Sequence, residues 1–353
     1  MNVDRVNYLN IGLMFLSAVP AYFFPFETFL LAYAVLGPLH YLTEISWLHD
    51  RNYYTQGKRD YLFLVGISLL VSLIFFGWLS FAPNNTAEFL SGWALIGALA
   101  FVQIKTPAAR WAALVPAGLA AFLLLSSKPC LVFLGMFLPT LAHVFLFTGM
   151  FILVGALRGR SFSGLLSLWV FAAVAAGLLA WHPPHANYVA GPYVRDSYGV
   201  LKEDGTSSSP FIAINYYVMQ AFHLHDFGYP APGGLAAFVK NANDFLYQNP
   251  LALSFMSFVA FAYAYHYFNW FSKTSIIGWH EIPRRRALAL LALWGISLAL
   301  YAYNYAVGLK WLFFLSFTHV LLEFPLNQLT WIGILREGRK WLGETRPASP
   351  AKN

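Results

Sequence analysis

Hydrophobic runs of helix length follow one another along almost the whole chain, separated by short polar or proline-containing gaps. An α-helix needs about 20 consecutive apolar residues to cross the hydrocarbon core of a bilayer. The pattern therefore predicts an all-α fold, a polytopic transmembrane helix bundle of about ten spans. The expected spans are 8–25, 26–47, 61–82, 88–104, 109–127, 131–156, 162–181, 251–272, 287–307 and 311–333.

One connection is much longer than the others and divides the chain. Spans 1–7 are expected in residues 1–181 and spans 8–10 in residues 251–335. Between them, residues 182–250 form a long outer loop that is rich in aromatic residues. Loops of this length usually carry function or lack order, and the aromatic content favours an extracytoplasmic lid with short interfacial helices. Residues 336–353 are expected to form a frayed, basic cytoplasmic tail.

The basic residues predict how the bundle is oriented. With the N-terminus in the cytoplasm, 17 of the 22 Lys and Arg residues fall in cytoplasmic segments and 5 fall outside. Cytoplasmic loops carry the excess of Lys and Arg in membrane proteins. We therefore expect both termini in the cytoplasm of an integral membrane protein, most simply in a bacterial inner membrane. The short polar start of the chain predicts no cleavable signal.

Composition supports the membrane assignment and excludes other classes. Hydrophobic residues make up 59% of the chain and charged residues 10%, whereas soluble proteins contain about 25% charged residues. The net charge of +7 arises from membrane-flanking positions, so no nucleic-acid partner is expected. The single cysteine, Cys130, excludes an intramolecular disulfide and a CxxC metal motif.

Four histidines lie well inside the predicted spans 2, 6, 8 and 10. An ionisable side chain in hydrocarbon is costly and by default faces the bundle interior, where it marks a functional site. The predicted topology makes these four spans run in the same direction, with the histidines at similar depth. This predicts one metal site, since neutral imidazole is the commonest metal ligand; alternatively, each histidine is a structural hydrogen-bonding group between helices. The four residues are His40, His143, His266 and His319.

Two carboxylates accompany these histidines. Glu44 follows His40 by four residues, and Glu323 follows His319 by four residues. Side chains four apart share one face of a helix. We expect Glu44 and Glu323 to be catalytic residues of the same site, as metal ligands, as partners that orient a histidine, or as proton acceptors.

The remaining histidines give weaker signals. Those at the ends of spans are explained by membrane flanking, and His280 has the further possibility of approaching the site from the cytoplasmic side. The HLHD sequence of the long loop suggests either a second metal cluster that includes Asp226 or a capped turn. The six residues are His49, His182, His185, His223, His225 and His280.

The first two histidines lie in patches that are similar to the motifs of one enzyme family. GPLHYLTEI resembles a motif of the form Pro-His-Gly-x-x-Asp, with His40 as the histidine and Glu44 in place of the aspartate. AHVFLFTGMF, around His143, resembles a motif of the form His-Phe-Gly-x-x-Asp but lacks its acidic residue.

The other two histidines continue the similarity in the same order. AYAYHYFNWFSK resembles an aromatic run followed by His-Ser-x-x-His, with His266 first and Trp270 at the second histidine position. THVLLEFP resembles Pro-His-x3–4-Asp-Phe, with His319 and Glu323. These motifs belong to the bacteriorhodopsin-related-protein-like family of membrane-integral β-carotene 15,15′-dioxygenases. The four patches cover roughly a tenth of the chain.

The resemblance implies a membrane-integral non-haem iron oxygenase. Its cofactor would be Fe(II) held by His40, His143, His266 and His319. Its partners would be O2, membrane lipids and a hydrophobic carotenoid- or lipid-like substrate taken from the bilayer. Several neutral histidines with open coordination positions suit Fe(II) on chemical grounds as well.

Two other functions explain the same residues. A proton, metal or solute transporter would use the intramembrane His and Glu side chains as a relay. A haem- or pigment-binding membrane subunit would use the histidines as axial ligands. Metal content, optical absorption and flux through liposomes distinguish the three functions.

Overall fold

The protein is all-helical. The computed structural model describes residues 3–180, 188–204, 207–227 and 233–344, and these contain no β-strand. The α-helices are α1 Val3–Phe23, α2 Pro25–Leu31, α3 Gly37–His49, α4 Tyr61–Phe75, α5 Thr86–Gln103, α6 Pro107–Ala112, α7 Leu114–Leu124, α8 Lys128–Val132, α9 Thr148–Gly159, α10 Phe162–Ala180, α11 Pro192–Tyr198, α12 Phe211–Ala221, α13 Gly234–Gln248, α14 Pro250–Ser272, α15 Thr274–Ile277, α16 Arg284–Tyr303 and α17 Tyr305–Glu344.

Two stretches are π-helical. The segment Ala32–Leu36 joins α2 to α3, and the segment Phe133–Phe147 joins α8 to α9. Each lies near a proline, since Pro38 opens α3 and Pro139 lies inside the longer π-helix. Proline removes a backbone donor and disturbs the α-helical hydrogen-bond ladder, and π-helical turns often occur at functional sites.

The prediction of an integral membrane protein is supported by helix length and composition. Among the described residues, eight helical stretches are long and apolar enough to cross a membrane. The number of spans and the side of each terminus stay predictions. The eight stretches are Val3–Phe23, Thr86–Gln103, Pro107–Leu124, Lys128–Gly159, Phe162–Ala180, Pro250–Ser272, Arg284–Tyr303 and Tyr305–Trp341.

The two other predicted spans are also helical but differ from expectation. Residues 25–49 form a continuous run through α2, the π-helical turn and α3. The span expected at 61–82 ends at Phe75, shortly before Gly77 adopts a φ of +74°. A positive φ is the usual way to end a helix, and glycine adopts it without steric cost.

The C-terminal segment also differs from the prediction of a frayed tail. Helix α17 continues through the basic residues to Glu344, and the remaining tail lies outside the described residues. Glu337 explains part of this extension, because its carboxylate accepts hydrogen bonds from Arg336 and Lys340 on the same helix. Lys340 has the i, i+3 spacing that brings side chains together on a helix surface.

Helix α14 is the centre of the bundle. In its most apolar stretch of 18 residues, 89% are buried inside the protein. It packs against α1, α2, α10 and the π-helix Phe133–Phe147. A helix enclosed on all sides needs no polar face, which explains why α14 carries apolar side chains all around its axis.

The described part of the connection between residues 182 and 250 is mainly helical. It contains α11, α12 and α13. These helices insert aromatic side chains into the core, with Phe211 packed edge-on against Phe29 at 4.9 Å and Tyr198 edge-on against Phe26 at 4.8 Å. The loop residues His182 and His185 lie outside the described residues.

A buried ion pair connects the segments on either side of α4 and α5. Arg110 Nε lies 2.9 Å from Asp60 Oδ2, with the two side chains 4% and 2% exposed. Asp60 also accepts the backbone N–H of Gly57 at 2.8 Å, and Arg110 donates to the carbonyl of Ile104 at 3.0 Å. The pair therefore holds two connecting segments together as one unit.

Candidate metal centre

The four histidines predicted from the sequence converge. One ring nitrogen from each of them lies within 4.8 Å of the others, and all four residues are buried. His40 Nε2 faces His266 Nε2 at 3.0 Å, and His143 Nε2 faces His319 Nε2 at 3.1 Å. Four helical segments that are distant in sequence thus supply a single cluster.

Local structure explains how each histidine reaches this point. His40 lies in α3 just after the π-helical turn, and His143 lies in the π-helix Phe133–Phe147. His266 and His319 come from α14 and α17. The cluster lies where two hydrophobic cores meet, because residues close to the histidines in the sequence belong partly to one core and partly to the other. The four imidazoles are buried, with the residues 1–7% exposed.

Glu323 pairs with a histidine on another helix. Its Oε2 lies 3.0 Å from His143 Nδ1, and both side chains are almost fully buried. The i, i+4 spacing suggested His319 as the partner of Glu323. In the structure the Glu323 carboxylate instead contacts His143 on a neighbouring helical segment. A proton on His143 Nδ1 shared with this carboxylate leaves Nε2 with a free lone pair, which is the arrangement found behind metal-bound histidines.

Glu44 has a different position. Its Oε2 lies 3.1 Å from His40 Nε2, the nitrogen that also faces His266. A carboxylate behind a metal-bound imidazole would contact the other ring nitrogen, Nδ1. Glu44 therefore lies beside the cluster, where its oxygen is close enough to share the same cation or proton.

Thr148 is a site residue that the sequence did not reveal. Its hydroxyl lies 2.8 Å from His266 Nδ1, and the residue is 1% exposed. A threonine in an apolar helix usually bonds to its own backbone, so its sequence context gives no signal of this role. The contact fixes the His266 ring and leaves its Nε2 directed at His40.

Replacing Thr148 by valine is expected to weaken metal binding by about 10- to 100-fold, because the partner that orients a metal-bound histidine is lost. Valine keeps the shape of threonine and removes the hydroxyl. Competition with a graded chelator measures the change. The matched control is Thr330→Val, since Thr330 donates only to the carbonyl of Leu326. Equal losses in both variants would contradict the assignment.

Aromatic side chains form the walls of the cluster. Tyr41 stacks on His319 with ring centroids 4.2 Å apart. Trp270 packs edge-on against His40 at 5.5 Å, and its indole N–H donates to Thr43 at 3.0 Å. Trp270 therefore supports the ring of His40 and contributes no ligand.

A cavity of about 400 Å³ adjoins the cluster. Three of the four histidines line it, while His40 does not. Its walls are mostly apolar and come from the π-helical segment Ala32–Leu36, α3, α4, α5, the π-helix Phe133–Phe147, α12, α14 and α17. Helix α12 of the long connection supplies Phe211 and Ile214 to this wall, and the extracytoplasmic lid stays a prediction.

The other described histidines do not join the cluster. His280 packs edge-on against Trp279, and His49 lies 3.4 Å from the Tyr53 hydroxyl. In the HLHD sequence, His225 stacks on Phe245 with centroids 3.7 Å apart. Across residues 3–180, 188–204, 207–227 and 233–344, the four buried histidines are the group with metal-binding spacing. A second metal cluster at His223 and His225 is thus not supported.

The donor set fits a metal ion. Two imidazole nitrogens that face each other at 3.0–3.1 Å repel through their lone pairs unless a proton or a cation lies between them. Metal–nitrogen bonds of about 2.0–2.1 Å place neighbouring ligands roughly 3 Å apart. The two carboxylates supply compensating negative charge.

Comparison of the chain with protein-family models, curated proteins and solved structures finds no match.

Proposed function

We propose that this chain is a membrane-integral, histidine-ligated non-haem iron oxygenase that acts on an apolar, carotenoid- or lipid-like substrate. The observation that carries the proposal is the adjacency of the four-histidine cluster to an apolar cavity. The motif resemblance around His40, His143, His266 and His319 favours the same function.

The cluster and cavity together suit oxygen chemistry on a hydrophobic molecule. Fe(II) bound there would activate O2, and nitrogen ligands with open positions are typical of such centres. His143, His266 and His319 line the cavity, so a substrate within it lies next to the ligand atoms. The dry surroundings would keep water from competing with the substrate.

Each carboxylate would have its own role in this reaction. Glu323 would hold the proton of His143 Nδ1 and keep its Nε2 available as a ligand. Glu44 would act beside the metal, as a further ligand or as the group that holds a proton near His40 Nε2. We therefore expect Glu44→Gln to impair turnover more than metal binding.

Two observations favour this proposal over the alternatives. A haem between facing histidines would need space for a porphyrin, and nitrogens 3.0 Å apart leave none. A relay for transport would need access from both membrane faces. The cavity reaches three histidines, whereas His40 is covered by Trp270.

The test is oxygen incorporation by the purified, Fe(II)-loaded protein in lipid nanodiscs. β-Carotene and the shorter isoprenoid farnesol are supplied with 18O2, and products are identified by mass spectrometry. We expect an oxygenated product that carries 18O and is absent under argon and from zinc-loaded protein. A colourless protein that binds no iron and moves protons across liposomes would overturn the proposal in favour of transport.

A histidine outside the cluster provides the matched control for this assay. His280→Ala changes an exposed residue whose described ring contact is with Trp279. We expect it to keep activity, whereas His319→Ala loses it. Equal activity in both variants would show that the reaction does not depend on the histidine cluster.

A further inference from the structure

Hydroxyl groups are concentrated in one part of the cavity wall. Five residues with hydroxyls line the cavity, and we call them the hydroxyl cluster: Tyr33, Tyr41, Tyr263, Tyr267 and Ser316. The four tyrosines are 1–7% exposed. The rest of the wall is mostly apolar, so these hydroxyls form a polar region inside a hydrophobic site.

The hydroxyls form pairs that leave hydrogen-bonding capacity unused. Tyr41 and Tyr267 share a hydrogen bond of 2.8 Å, and Tyr33 and Ser316 share one of 3.1 Å. Further hydrogen bonds join Tyr41 to Tyr33 and to Ser316, so these hydroxyls form one network. Each hydroxyl has one O–H donor and two lone pairs, so acceptor positions remain after every donor is used. A ligand oxygen placed beside the network could therefore join it.

Nearby tyrosines outside the cavity have other kinds of hydrogen-bond partner. Tyr305 donates to the carbonyl of Leu30 at 3.1 Å, and Tyr265 donates to the Asn10 side chain at 3.3 Å. Neither belongs to the cavity wall. The bonded tyrosine hydroxyls of the wall are instead joined to one another and to Ser316.

The hydroxyl cluster also lies next to the candidate metal centre. The ring of Tyr41 stacks on His319, and Tyr267 follows His266 in α14. The ring centroids of Tyr267 and His40 are 5.2 Å apart. A molecule whose oxygen atom binds these tyrosines would therefore have its neighbouring carbons beside the histidine cluster.

Other parts of the wall can hold only hydrocarbon. Phe75 and Phe313 stack face to face at 3.8 Å, and Phe313 is followed along α17 by Phe317. All three line the cavity. At roughly 30 Å³ for each water-sized group, a cavity of about 400 Å³ holds about 13 such groups.

We propose that the cavity binds an apolar chain that carries one hydroxyl or carbonyl oxygen at its end, with that oxygen held by Tyr41, Tyr267 and the Tyr33–Ser316 pair. The ligand class is a long-chain or isoprenoid alcohol, aldehyde or ketone of roughly 13 to 15 carbons, or the oxygen-bearing end of a longer molecule. The inference rests on the cavity being the substrate site of the proposed function, and it names the substrate class.

The test compares two probes that share a carbon skeleton and differ in their oxygen. Farnesol and its hydrocarbon counterpart farnesene are titrated into the protein in nanodiscs under argon, and binding is followed by calorimetry after correction for empty nanodiscs. We expect farnesol to bind at least about tenfold more tightly, the equivalent of one hydrogen bond. The Tyr41→Phe/Tyr267→Phe double variant should reduce this preference to below about threefold.

Tyr265→Phe is the matched control, because Tyr265 is a buried tyrosine of α14 outside the cavity. It should keep the wild-type preference. Equal affinity of the wild type for both probes, or an unchanged preference in the double variant, would overturn the inference. Metal content is measured on the same samples. Full metal content without a preference for farnesol disproves only this inference, whereas a preference without bound metal disproves the iron centre.

Discussion

His143→Ala is expected to lose the stoichiometric metal that wild-type protein binds, with affinity reduced by more than about 100-fold. Removing a partner that merely orients a metal ligand costs 10- to 100-fold, and this change removes a ligand together with its orienting contact. Glu323 would also lose the imidazole that lies 3.0 Å from its Oε2. Elemental analysis of detergent-purified protein, followed by chelator competition, measures the loss.

The control for this variant is His225→Ala. His225 lies outside the four-histidine cluster, and its ring stacks on Phe245. It should keep the wild-type metal content. Helical circular dichroism and gel filtration show whether each variant is folded. If His143→Ala does not fold, Glu323→Gln is measured in its place. This variant keeps the volume of the Glu323 side chain and removes its negative charge. Wild-type metal content in folded His143→Ala would contradict the site.

Asp60→Ala is expected to lower the free energy of unfolding by about 3–5 kcal/mol, the usual cost of leaving one buried charge without its partner. Arg110 is 3% exposed and its Nε lies 2.9 Å from Asp60. The guanidinium would keep its bonds to the Ile104 and Lys105 carbonyls but would have no counter-charge. Thermal inactivation, followed by loss of the monodisperse peak in gel filtration, measures the change.

A double variant separates the pair from the packing around it. Asp60→Leu combined with Arg110→Met replaces both charges by apolar side chains, and such replacements are often neutral or stabilising. We therefore expect the double variant to be more stable than Asp60→Ala alone. Asp50→Ala is the matched control, because its partner Arg286 is 35% exposed and exposed pairs contribute little. A double variant as unstable as Asp60→Ala would contradict the role of charge.

The histidines of the site were predictable from sequence because ionisable groups are rare in membrane spans. His40, His143, His266 and His319 needed only the apolar runs around them to be recognised. The pairing of Glu323 with His143 was not predictable, since it depends on how α17 rotates against the π-helix. Thr148 was missed because threonine is common in membrane helices and its hydroxyl has no characteristic spacing.

The fold was predictable to a similar degree. Long apolar runs identified the helices, but apolarity does not fix where a helix ends. Gly77 ends α4 well before the predicted residue 82, and charge pairs at Glu337 extend α17 beyond the predicted end. The position of α12 over the cavity depends on contacts such as Phe211 with Phe29, between segments far apart in the chain.

The order of the four histidines along the chain has a consequence for biogenesis. His319 is the last of the four histidines in the sequence and lies in α17, which follows the helices that carry the other three. Because domains form progressively from the N-terminus during translation, a nascent chain holds His40, His143 and His266 before the centre is complete. The four-histidine cluster can therefore be complete only after the segment that carries His319 has been synthesised and packed against the others. Chains truncated before α17 would expose buried polar groups and be recognisable to membrane quality control.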